Sequence, residues 1–196
     1  MVKRVFDFIC SFLGLIILSP IVILIIVWIK CDSDGPVFFL QQRVGLNGKL
    51  FNIFKFRTMI PNAEKKGLKV TVGIDPRITK SGHFLRKTKL DELPQLLNVF
   101  LGQMSIVGPR PEVPEFMNEY SANIRSKILS VRPGITDLAS IEFTNEAEIL
   151  ADSLEPKKKY IDDIMPIKAR YYLDYVDNHN FINDIKIIFL TFKKII

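Results

Sequence analysis

Cysteine and histidine are nearly missing from this chain. Two cysteines (Cys10, Cys31) and two histidines (His83, His179) stand among 196 residues. A disulfide framework needs more of the first, and a structural zinc site needs a cluster of both. Nothing in the cysteine usage requires an oxidising compartment. Glycine and proline number 10 and 11, too few for a fibrous or low-complexity chain. With 48% hydrophobic residues the chain is too apolar for disorder and can bury a core. Its length argues for one domain with at most an appendage. Neither a phosphate-binding P-loop nor a dinucleotide-binding glycine fingerprint occurs.

What is present is positive charge, unevenly placed. The net charge is +6, and residues 30–110 hold 14 basic and 6 acidic side chains whereas residues 111–196 hold 11 and 14. A middle third this basic points to an anionic partner: phosphate, lipid headgroup or nucleic acid. Nucleic acid fits worst, because no recognition motif or aromatic interleaving accompanies the charge.

From Phe8 to Ile29 run 22 residues without a charge. A straight helix of that length would cross a bilayer core of roughly 30 Å. Lys3 and Arg4 precede the run, and Trp28 and Lys30 close it, as suits interface anchors. Ser19-Pro20 interrupts it near the middle. Proline removes a backbone donor and clashes with the carbonyl four residues back, so a kink or break is expected there. Ser19 can bond the freed carbonyl. With basic residues at both ends, the positive-inside bias selects no orientation. A kinked span and a hairpin that returns to the same face both fit. A cleaved signal peptide fits less well, since no small-residue cleavage site follows.

The remainder reads as α+β, mainly helical. Pro36–Leu40 and Leu50–Arg57 form two strands of a small β-hairpin, joined by a turn at Arg43–Lys49 in which Asn47-Gly48 is the signal. Residues 61–76 read as a polar loop. Helices are expected at Gly82–Lys87 and from Asp91 to about Leu101, with Gly102 as the stop. Another is expected over 112–129, where Phe116, Tyr120, Ile124 and Ile128 recur every four residues. The last is amphipathic, with Phe181, Ile185, Ile188, Phe192 and Ile195 on one face. It either covers the core or lies in a membrane interface.

The chemistry concentrates in Arg86–Leu96. Asp91 and Glu92 are adjacent carboxylates at the expected head of a helix, with Pro94 in its first turn. One reading is a helix cap with acids that complement the dipole. The other is a nucleophile and its neighbour, since a carboxylate can form a covalent phosphoryl intermediate. Arg110, between two prolines in Gly108-Pro109-Arg110-Pro111, and Arg132, in Val131-Arg132-Pro133-Gly134, sit in locked turns that suit bidentate phosphate contacts. Lys55, Arg57 and Arg86 complete the candidates for substrate binding. His83, His179 and Cys10 read as ordinary surface or packing residues, and Lys157-Lys158-Lys159 as a solvated helix start.

These residues fall in an ordered set of motifs. The apolar segment broken at Ser19-Pro20 is followed by Gln42-Arg43-Val44-Gly45, Lys55-Phe56-Arg57-Thr58-Met59 and Asp75-Pro76-Arg77-Ile78-Thr79. Then come Leu90-Asp91-Glu92-Leu93-Pro94-Gln95-Leu96-Leu97-Asn98-Val99, the stretch Gly102 to Pro111, and Arg132-Pro133-Gly134-Ile135-Thr136. In this order, and over nearly the whole chain, they resemble the bacterial sugar transferases of the small monotopic phosphoglycosyl transferase family. The resemblance implies transfer of a sugar phosphate from a UDP-sugar to undecaprenyl phosphate with release of UMP. It implies Asp91 as nucleophile, Glu92 as its partner and Mg2+ at Asp91. It further implies that residues 1–30 form a re-entrant membrane helix bent at Ser19-Pro20. Residues 31–196 would then be the catalytic domain on the cytoplasmic face of the bacterial inner membrane, starting capsule, O-antigen or glycoprotein glycan assembly. The chain departs from many relatives at Asp137-Leu138-Ala139-Ser140 and over 141–146, so the resemblance does not specify the sugar. The competing expectation is a non-enzymatic membrane-anchored scaffold that binds acidic partners through residues 30–110.

Overall fold

The computed structural model describes residues 2–63 and 75–195. Most of the expected 61–76 loop therefore lies outside the described residues. The apolar run forms two helices, α1 (Val2–Ile17) and α2 (Ser19–Asp32), bent by 59°. Pro20 has no N–H to offer the Ile16 carbonyl. Ser19 Oγ donates to that carbonyl instead, at 2.7 Å. No single described helix is long and apolar enough to cross a membrane, whereas the bent pair has the length and composition together.

The pair is built into the body of the protein. Ile25 and Ile29 of α2 pack with Phe56 and Leu85. From α1, the buried Asp7 carboxylate accepts from Ser105 Oγ at 2.8 Å and from Ile106 N at 3.1 Å. Phe8 and Phe12 stack on Phe100. The outward faces stay apolar and exposed, with Ile17, Leu24 and Val27 among the most exposed.

The hairpin pairs β1 (Phe38–Val44) with β2 (Leu50–Phe56), Phe38 opposite Phe56 and Val44 opposite Leu50. Its turn holds Asn47 and Gly48 at φ of 54° and 76°, the conformation this dipeptide tolerates. β1 begins two residues later than expected and runs on through Val44, because the ladder continues across Gln41–Arg43.

Helix α3 (Lys80–Lys87) starts two residues before its expected position, where Thr79 caps it by accepting from Gly82 N at 3.0 Å. The single helix expected from Asp91 to Leu101 is instead a 3₁₀ turn, Leu90–Glu92, followed by α4 (Gln95–Phe100). Pro94 lacks the N–H that would extend an α-helical ladder through this point. Gly102 ends α4 at φ +81°, as expected.

A second pair of strands had no signal in the sequence: β3 (Ser105–Val107) lies parallel to β4 (Gly134–Thr136). Their backbones meet so closely that a Cβ on Gly134 would lie 2.2 Å from Gly108 N. The helix expected over 112–129 is broken into α5 (Pro114–Glu119) and α6 (Ala122–Ile128). Tyr120 is extended and Ser121 caps α6. The four-residue stripe survives the break, because Phe116, Tyr120 and Ile128 are still buried.

The main core gathers α5, α6, α7 (Leu138–Glu142), α8 (Glu146–Ala151) and α10 (Met165–Asn178). Helix α9 (Pro156–Lys159) enters α10 through a π-helical turn at Tyr160–Ile164. The final helix, α11 (Phe181–Ile195), corrects the sequence reading. Its inner face is Asp184, Ile187, Ile188 and Thr191, while Ile182, Phe189 and Phe192 point outward and exposed. The helix is apolar on two sides, so one apolar periodicity did not identify the buried side. The Ile195 side chain lies outside the described part of the structure.

Candidate active site

Two adjacent acids at one turn are placed in opposite environments. Lys89 takes a left-handed conformation (φ 58°) that turns the chain out of α3 and into the Leu90–Glu92 turn. Glu92 then meets two cations. Lys55 Nζ from β2 donates to its Oε1 at 2.7 Å, and Arg110 donates to the same oxygen at 2.5 Å and to Oε2 at 3.3 Å. Burial alone would lift the Glu92 carboxyl, but Arg110 and then Lys55 override it and hold it well below the ordinary carboxylate range. In return Glu92 raises the Arg110 pKa.

Asp91 is 8% exposed, and no hydrogen bond to its carboxylate forms among the described residues. It does not cap α4, whose N-terminus has no side-chain cap, so the capping role open in the sequence is not the one adopted. Burial pushes the Asp91 carboxyl up; Lys55 and Arg86 oppose this, and the charge on Glu92 adds to it. Asp91 is thus a desolvated carboxylate among cations, with its oxygens available, beside a carboxylate already committed.

Arg110 is aimed by the parallel strand pair. Gly108 N donates to Thr136 O at 3.1 Å and Gly134 N to Pro109 O at 2.9 Å, so the turn after β3 is pinned to the end of β4. Arg43 pins its far side by donating to Pro111 O at 2.9 Å. Asp137 follows β4 at the same edge, buried, accepting from Ser140 N and Oγ at 3.0 and 2.6 Å. Burial raises its carboxyl. Arg86, from α3, donates to Thr58 Oγ1 at 2.8 Å and lies within electrostatic reach of Asp91.

The structure therefore brings Lys55, Arg86 and Arg110 to Asp91 and Glu92. It sets Arg57 and Arg132 elsewhere. Arg57 donates to the carbonyls of Ser33 (2.7 Å) and Asp34, tying β2 to the end of α2. Arg132 donates to Gly102 O at 2.9 Å, past the far end of α4. Arg43 and Asn98 stood in the sequence motifs without an assigned role, and Asp7 stood in none of them. Asn98 holds α4 on β2, accepting from Phe54 N at 2.9 Å and donating to Asn52 O at 2.8 Å. The available signal for Asp7 was a lone acid beside an apolar run.

The profile of the bacterial sugar transferase family matches residues 1–196. The chain belongs to the bacterial sugar transferase family. A UDP-glucose:undecaprenyl-phosphate glucose-1-phosphate transferase of Klebsiella pneumoniae is 43% identical over 98% of this chain and 39% of its own length. An undecaprenyl-phosphate galactose phosphotransferase of Salmonella typhimurium is 38% identical over 99% of this chain and 40% of its own. The uncharacterized sugar transferase EpsL of Bacillus subtilis is 37% identical over 99% of this chain and 87% of its own. This bacterial sugar transferase chain thus spans about two fifths of the enzymes named for their reactions, and nearly all of EpsL.

Proposed function

We propose that the chain is a phosphoglycosyl transferase that moves a sugar 1-phosphate from a UDP-sugar to undecaprenyl phosphate and releases UMP. The observation that carries this reading is Asp91: a buried carboxylate without hydrogen bonds among the described residues, flanked by Lys55 and Arg86, beside a Glu92 that Lys55 and Arg110 have already taken. The reactions for which relatives aligned over nearly the whole chain are named support it.

In this reading one Asp91 oxygen bonds to the phosphorus that bears the sugar. The bond from that phosphorus to the bridging oxygen breaks, and UMP leaves with the bridging oxygen and its electron pair. A phosphate oxygen of the polyprenyl acceptor then bonds to the same phosphorus, and the Asp91 carboxylate is released. Phosphoryl transfer depends mainly on placement and charge compensation. Lys55, Arg86 and Arg110 supply the charge, and the β3–β4 edge supplies the placement.

Mg2+ suits Asp91. A single carboxylate with free oxygens, completed by substrate phosphates, is a usual way to hold this ion, and no described group of three or more His, Cys, Asp or Glu would cage it alone. When bound, it would neutralise diphosphate charge. We place α1 and α2 as a re-entrant segment in the cytoplasmic face of the bacterial inner membrane, with the outer face of α11 against the lipid. The 59° bend and the exposed apolar side chains of all three helices support this. The step would begin assembly of a capsule, O-antigen or glycoprotein glycan.

The test is UMP release by the purified protein with undecaprenyl phosphate, Mg2+ and a panel of UDP-sugars. With donor alone, the peptide bearing Asp91 should gain the mass of a sugar phosphate. Absence of any such adduct on a protein that turns over would remove the covalent route.

A further inference from the structure

Gln95, the first residue of α4, is fully shielded from solvent at 0% exposure. Neither of its amide heavy atoms has a hydrogen-bond partner among the described residues. A buried amide left unpaired is destabilising and uncommon enough to need a cause. Its row on the helix is otherwise fully used. Leu93 N donates to Leu90 O at 3.2 Å, Leu96 N to Leu93 O at 3.1 Å and Leu97 N to Pro94 O at 3.0 Å. Leu93 and Pro94 also keep right-handed helical angles. Residues three apart then lie on one face. Glu92, Gln95 and Asn98 share that face, which looks onto β2. Glu92 takes Lys55, and Asn98 takes Asn52 and Phe54. Gln95 stands between them with nothing.

The missing partner follows from the proposed reaction, on which this inference rests. A donor diphosphate arriving at Asp91 competes for Lys55 and Arg110, the two cations that Glu92 holds. Glu92, whose side chain is 14% exposed, would then be left as a buried charge without partners, a strongly unfavourable state. Among the described residues, the only unpaired side-chain donor on its own helical face is the Gln95 amide. We propose that Gln95 is a positioning residue whose Nε2 hydrogen-bonds Glu92 in the transition state, when Lys55 and Arg110 are drawn to the transferring phosphate. This frees Lys55 and Arg110 to turn to the phosphates without stranding the Glu92 charge.

Two substitutions separate this role from a structural one. Gln95→Met keeps the length and removes both amide groups, and Gln95→Leu removes them with a branched apolar side chain. For Gln95→Met, the melting temperature should equal or exceed that of the wild type. Its kcat for UMP release should fall about 10- to 100-fold, as befits loss of one charge-assisted hydrogen bond made in the transition state. KM for the donor should change by less than about twofold. Gln95→Leu should lose at least as much. The assignment is overturned by wild-type kcat in either variant, by a loss carried wholly in KM, or by a Gln95→Met protein that melts below the wild type. Wild-type protein that releases no UMP overturns the transferase reading and this role with it. An inactive Asp91→Asn beside a fully active Gln95→Met removes only the role of Gln95.

Discussion

Ser19 Oγ donates to the Ile16 carbonyl, the acceptor that Pro20 leaves open four residues on. The two residues act as one device: proline breaks the ladder, and serine satisfies the broken end locally, so the bend needs no outside partner. Replacing both by alanine restores the N–H and removes the competing hydroxyl. Spin labels at Val5 and Val27, both exposed, should then move apart by about 4 Å as the two arms align. An unchanged separation would assign the bend to the packing of Ile25 and Ile29.

Asp7 is the one buried acid of α1, and it serves Ser105 and Ile106 across the chain. Asp7→Leu strands both donors in an apolar junction. We expect a loss of about 2–4 kcal/mol, read as a lower unfolding midpoint in detergent, with Asp7→Asn losing less because it keeps one acceptor. A leucine variant as stable as the wild type would show that the junction is held by the Phe8–Phe100 stack instead.

Asp75 gives the protein an acid limit. The Arg77 guanidinium donates to both its oxygens, at 2.6 to 3.1 Å, and holds its carboxyl below the ordinary range. The unfolded chain therefore takes up a proton at a higher pH than the folded one. The pair's contribution is complete above the unfolded value of about 3.9 and drains away as the pH falls towards the folded value. The urea midpoint should drop on acidification through this range, and Asp75→Asn should flatten that part of the profile. Parallel profiles for the two proteins would show that other carboxylates set the limit.

What the sequence made legible was local. Asn47-Gly48 fixes its turn because few dipeptides accept positive φ. Pro94 and Ser121 broke two expected helices through signals that were present, but the four-residue periodicity of the apolar residues outweighed them. The β3–β4 pair was not legible at all. Three-residue strands carry almost no pattern, and this pairing depends on Gly108 and Gly134 meeting backbone to backbone. The same limit governs the site. A proline-locked turn restrains Arg110 and Arg132 alike, but only the tertiary fold turns the first to Glu92 and the second to the Gly102 carbonyl. Arg57 looked like a phosphate ligand because its two carbonyl partners lie 23 and 24 residues away in sequence.

Asp91 and Glu92 should answer the same mutation differently. Among the described residues Asp91 makes no hydrogen bond, and its charge is disfavoured by burial, so Asp91→Asn removes a nucleophile without breaking a described contact. Its melting temperature should match or exceed the wild type, while turnover should fall by at least about 10³-fold, the scale seen when a nucleophile is removed. Glu92→Gln leaves Lys55 and Arg110 facing a neutral amide in a largely buried place. Stability should fall by about 2–4 kcal/mol, and activity should fall with it because Arg110 loses the anchor that aims it. Thermal melts and UMP release on both variants check this together. If Asp91→Asn is the one that unfolds, Asp91 is part of the scaffold and Glu92 becomes the better candidate for attack. If both fold and both turn over, neither carboxylate reaches the phosphorus, and the cations around them bind an anion without performing chemistry on it.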